Sequence, residues 1–152
     1  MKIENTQAIN PPDYDVIEAH FACKVSEEIR HFLENYNGQI INPEEGLEIT
    51  FVSDESKSIS ESFPTIYHTA DVVSQLDFIS YIEDFLDESK WDDNDVEADK
   101  LLPLMSINGG SINLYVALCG SHEGKLYVVD NGDYGVCKVD MMLNDLILKI
   151  SS

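Results

Sequence analysis

From position 101 onward, short apolar runs alternate with breaks rich in Gly and Asn. Leu101-Leu102-Pro103-Leu104-Met105 leads to Asn108-Gly109-Gly110-Ser111. Asn113-Leu114-Tyr115-Val116-Ala117-Leu118 comes next, then a Ser121-His122-Glu123-Gly124 link and Lys125-Leu126-Tyr127-Val128-Val129-Asp130. Each run has the length of a strand and each break has turn chemistry, so the block predicts a compact antiparallel meander. Asp130-Asn131-Gly132-Asp133 carries the Asx-Gly signature of a hairpin turn, and residues 134–139 supply a last strand. Asp140 is placed to cap a closing helix that carries Leu143, Leu146, Ile147 and Ile150 at helical spacing.

The first half of the chain has a different period. Val16, Ile17 and Phe21 fall near helical spacing over residues 14–22. A second helix is better marked, because Ile29, Phe32, Leu33 and Tyr36 stand at i, i+3, i+4 and i+7. Ser26 can cap it, Glu27 and Glu28 suit its first turn, and Gly38 supplies a left-handed stop. Leu47, Ile49 and Phe51 alternate with Glu48 and Thr50 as in a half-buried strand. A polar loop is expected over 53–62 and a short edge strand over 64–68. Asp71 can cap a helix over 72–86 with a stripe of Val72, Val73, Leu76, Ile79, Ile82, Phe85 and Leu86. The expected architecture is α+β, an antiparallel or mixed sheet of about five or six strands with helices packed on one face, in a single domain over 1–152.

The meander and the second helix together resemble the SUKH superfamily, which includes fungal cell-wall-assembly regulators and many bacterial toxin-immunity proteins. The matching residues are a run ending near Pro103, the Gly109-Gly110 turn, the aromatic strand through Tyr115, and Gly124-Lys125-Leu126-Tyr127. Upstream, Val25-Ser26-Glu27-Glu28-Ile29-Arg30-His31-Phe32-Leu33-Glu34-Asn35-Tyr36-Asn37-Gly38 is similar to the family helix that ends in Tyr-Asn-Gly. The resemblance implies a non-catalytic protein. It further implies that a bacterial member of this size neutralises a cognate toxin, often a nuclease.

Charge sharpens that expectation. The net charge is −20, and residues 71–99 alone hold eleven acidic residues against one basic, a net −10. Phosphate binding needs Lys and Arg to displace counterions, and the chain has a single Arg, Arg30, so nucleic acid and anionic membranes are excluded as partners. The first residues, Met1-Lys2-Ile3-Glu4-Asn5-Thr6, show neither a basic nor an apolar leader pattern, and no apolar run approaches the roughly 20 residues that span a bilayer. Three cysteines, Cys23, Cys119 and Cys137, without C-x-x-C spacing suit a reducing compartment and a cytoplasmic protein, and Cys119 and Cys137, in strand-like runs, are expected as buried thiols ahead of a metal or disulfide role.

Catalytic chemistry finds no motif. Asp93-Asn94-Asp95-Val96-Glu97 imitates the start of a calcium loop, but Ala98 and Leu104 stand where Gly and Glu are needed, so no metal is expected. Gly109-Gly110-Ser111 is not a nucleophile elbow, and His20, His31, His68 and His122 lack paired ligand spacing. No cofactor is expected, and no enzymatic activity. The acidic segment is the candidate partner-binding site. Glu83, Asp84, Asp87 and Glu88 crowd a helix C-terminus, where the dipole disfavours negative charge by a few tenths of a kcal/mol each. Asp92, Asp93 and Asp95 surround the only Trp, Trp91, with Tyr81 upstream on the same predicted helix. Aromatic anchors bordered by charge are the usual anatomy of a binding hot spot. The expected site is therefore Tyr81, Asp84, Asp87, Glu88, Trp91, Asp92, Asp93 and Asp95, and the expected partner is a toxin protein with a basic nuclease domain. The alternative is an intracellular scaffold or regulatory interaction module. The sequence leaves the oligomeric state open.

Overall fold

The computed structural model describes residues 12–36, 38, 47–52, 57–61, 65–66, 100–106, 112–130 and 135–151. Within them the chain runs α1 (Tyr14–Phe21), α2 (Glu27–Tyr36), β1 (Leu47–Val52), β2 (Lys57–Glu61), β3 (Thr65–Ile66), β4 (Leu101–Ser106), β5 (Ile112–Ala117), β6 (Lys125–Asp130), β7 (Gly135–Met142) and α3 (Leu143–Ser151). The class is α+β, as the periodicities predict.

All strand pairs are antiparallel, in the order β2-β1-β7-β6-β5-β4-β3. The expected meander is β4 through β7, and β6 has the boundaries read from sequence. The β1–β2 hairpin adds to its β7 edge, where Phe51 lies opposite Val139. Two expectations need correction here. The described strands number seven rather than five or six, and the expected polar loop over 53–62 contains β2, which pairs Ile59 with Ile49 and Ser58 with Thr50. A strand on the outer edge of a sheet tolerates polar residues at most positions, so Ile59 alone left too little alternation to read.

Burial is continuous across the central strands. Leu126, Tyr127, Val128 and Val129 are each 2% exposed or less, and every residue from Asn113 to Leu118 is buried. Successive strand residues face opposite sides, so both faces of the sheet are covered there. The three helices belong to the same core, through Ile17 and Phe21 on α1, Ile29, Phe32, Leu33 and Tyr36 on α2, and Leu143, Leu146 and Ile150 on α3.

Local chemistry explains the helix ends. The Asp13 carboxylate accepts from the Val16 amide at 3.3 Å and starts α1. Ser26 Oγ accepts from the Ile29 amide at 3.3 Å and starts α2, as expected, and Gly38 takes φ +68° beyond its end. α1 stops at Ala22, which adopts a left-handed conformation (φ 54°, ψ 36°) without being glycine. Asp140 does not cap the last helix. It is an exposed residue inside β7, because the ladder continues past a register shift to pair Met142 with Lys125. The capping carboxylate is Asp145, which reaches back to accept from the Met142 amide at 2.9 Å.

Candidate functional site

The eight expected contact residues, Tyr81, Asp84, Asp87, Glu88, Trp91, Asp92, Asp93 and Asp95, lie outside the described residues, as does the predicted helix over 72–86. The nearest described residues on either side are Ile66 and Lys100. Ile66 on β3 lies opposite Met105 on β4, and Lys100 immediately precedes β4. In sequence the acidic segment thus falls between two strands that pair antiparallel, β3 and β4.

Three of the nine basic residues make contacts within the described part of the chain. Arg30 packs over the Tyr14 ring, with its guanidinium carbon 4.1 Å from the ring centroid. It also faces Glu18 at 3.5 Å, while its Nε donates to the Val25 carbonyl at 3.2 Å. Glu18 in turn accepts from the Val25 amide at 3.2 Å, and the Tyr14 hydroxyl donates to Glu34 at 2.8 Å. Burial, then the hydrogen bond to Glu34, raises the Tyr14 phenol well above its ordinary pKa, and the nearby Arg30 offsets part of that rise. Lys100 Nζ donates to the Phe21 carbonyl at 2.9 Å, and Lys125 Nζ lies 3.2 Å from His122 Nδ1. These three cations are engaged by the protein's own groups. The carboxylates of Asp13, Asp15, Glu27 and Asp140 belong to exposed residues.

Three of the four histidines are described. His20 makes an edge contact with the Phe21 ring, His31 stands 3.2 Å from the Asn35 amide nitrogen, and His122 occupies the β5–β6 turn. His68 lies outside the described residues. Among the described residues, no group of three or more His, Cys, Asp or Glu side chains is arranged to hold a metal ion. None of their helices is long and apolar enough to cross a membrane.

The cysteines require a correction. Cys23 and Cys119 are not separate buried thiols but form a disulfide between half-buried positions 96 residues apart, with Cα atoms 6.5 Å apart. Cys23 lies in the link between α1 and α2, and Cys119 lies just past the end of β5. No spacing rule could find this pair, because only the packing of α1 against the sheet brings the two segments together. The Tyr14–Arg30–Glu34 lattice was equally hidden, since its members face one another across two helices.

The fold and these residues define an α+β protein built on a seven-stranded antiparallel sheet. No family model, no curated protein and no solved structure matches the chain.

Proposed function

We propose that the protein is a bacterial immunity protein of the SUKH type. It acts in the cytoplasm without catalysis, and it blocks a cognate toxin whose active domain is a basic nuclease. One observation carries this reading: a net charge of −10 over residues 71–99, around the only Trp, in the stretch of sequence between β3 and β4. A nuclease groove is shaped and charged for phosphates. A carboxylate-rich segment can occupy it as a nucleic-acid mimic, with fast association steered by charge. The whole chain has the same sign, with 29 acidic residues against 9 basic ones, so its net charge of −20 reinforces that field. Trp91 and Tyr81 are the apolar anchors, and Asp84, Asp87, Glu88, Asp92, Asp93 and Asp95 supply the field.

The test is binding and protection against a basic nuclease toxin, sought in the open reading frame that neighbours the gene. Replacing Asp92, Asp93 and Asp95 by Asn or Ser should slow association and flatten its salt dependence, because exposed charges are screened beyond about 8 Å at physiological ionic strength. Trp91→Ala should instead speed dissociation, by about 2 kcal/mol or more, and should abolish protection in co-expressing cells. If both folded variants protect like wild type with unchanged kinetics, the segment is only a solvated face and the proposal fails.

A further inference from the structure

We propose that Cys23 and Cys119 are a reversible redox staple, open as two thiols in reducing surroundings and closed when a small-molecule disulfide oxidant accumulates. The inference stands apart from the toxin reading and rests on how the two sulfurs are held. Their Cα separation of 6.5 Å lies within the range a disulfide spans. The backbone there is aligned by contacts that involve no sulfur. Lys100 Nζ donates to the Phe21 carbonyl at 2.9 Å, and the Lys100 carbonyl accepts from the Leu118 amide at 2.8 Å. One residue therefore ties the position two before Cys23 to the position just before Cys119. Around that tie Phe21, Val25 and Leu118 are buried, so apolar packing holds both segments whether or not the sulfurs are joined.

Access is also present. Both cysteines are half-buried rather than sealed, and Gly120, the residue next to Cys119, is exposed. The third cysteine is no competitor. Cys137 on β7 pairs with Val128 on β6, and Val128 pairs with Leu114 on β5. Cys137 is thus two strands across from Leu114, which precedes Cys119 by five residues, far beyond the roughly 7 Å limit for a disulfide. Closure is an ordinary exchange. One cysteine thiolate attacks the small disulfide, forming a mixed disulfide and expelling one thiolate. The second cysteine, after losing its proton, attacks the protein sulfur and expels the other. The chain loses two protons and two electrons, and one small disulfide becomes two small thiols. The closed staple fixes the α1–α2 pair to the β5 end of the sheet.

The full chain can be equilibrated in glutathione buffers from fully reduced to strongly oxidised, then alkylated, weighed intact, peptide-mapped and unfolded in urea. Both states should give superimposable circular dichroism, with a bridged peptide containing Cys23 and Cys119 only in oxidising buffer. Closing a loop of this length should raise the folding equilibrium constant by about 10³-fold. Cys137→Ser should behave like wild type, and Cys23→Ser or Cys119→Ser should remove the response. Lys100→Met should slow closure at unchanged oxidant. A reduced chain that is unfolded would make the bond structural rather than switchable and overturn the proposal. So would a bridge to Cys137, or a folded chain that never closes.

Discussion

Ala22 ends α1 in a conformation that L-residues avoid, and this allows one substitution to have opposite effects at two nearby positions. At φ 54° and ψ 36° its Cβ crowds the following carbonyl oxygen, which costs about 1–2 kcal/mol relative to a right-handed conformation. Glycine removes that crowding. It also gives the unfolded chain more freedom, which offsets about 0.4–1 kcal/mol. Ala22→Gly should therefore stabilise the protein by about 0.5–1 kcal/mol, or roughly 2–4 °C per kcal/mol for a chain of this size. Ala19 is exposed and sits inside α1, where the backbone is right-handed, so Ala19→Gly should destabilise by about 0.5–1 kcal/mol. Urea unfolding of both variants, with the Cys23–Cys119 bond in one fixed redox state, gives the two signs directly. The slopes should match wild type, so that midpoint shifts report stability alone. Equal destabilisation at both positions would refute the left-handed cap and the account of how α1 turns toward Cys23.

Phe32 is fully buried, so Phe32→Ala should cost about 3–5 kcal/mol in chemical denaturation. Glu34→Ala, two residues on, should cost under about 1 kcal/mol, since it removes only an exposed bond from Tyr14, and similar losses at both would mean the helix face is misassigned. Tyr14 holds its proton more tightly folded than unfolded, so its contribution is complete below the ordinary tyrosine value of about 10 and is lost as pH rises through the higher folded value. Tyr14→Phe should flatten the fall in urea midpoint above about pH 10, and parallel curves for variant and wild type would sink this assignment.

Elements with a strong local period were legible, and those fixed by distant contacts were not. Ile29, Phe32, Leu33 and Tyr36 repeat at helical spacing and are all buried on α2, and the run from Lys125 to Asp130 is β6 without adjustment. β2 escaped notice because Lys57-Ser58-Ile59-Ser60-Glu61 carries one apolar residue and takes its register from β1. Asp140 looked like a cap because Asp commonly starts helices. The competing β6–β7 ladder, which carries the strand on to Met142, is invisible in a linear reading. Cys23 and Cys119 show the same limit in covalent form, since their pairing depends on Lys100 and on the seat of α1. The acidic segment is legible in sequence only as charge concentrated around Trp91, and its eight residues lie outside the described ones.

The doubly covered centre of the sheet has a colloidal consequence. With no solvent-facing side on β6 from Leu126 to Val129, or on β5 from Asn113 to Ala117, these stretches cannot share in displaying the net charge of −20. Among the described residues, the exposed carboxylates lie instead on helices, turns and β7, as at Asp15, Glu27, Glu34, Glu123, Asp140 and Asp145. Copies of the chain therefore repel one another at neutral pH, which opposes the edge-to-edge pairing that outer strands such as β2 and β3 can template. The repulsion fades as the solution is acidified toward the isoelectric point near 4.2, so it keeps copies of this chain apart only while the pH stays well above that value.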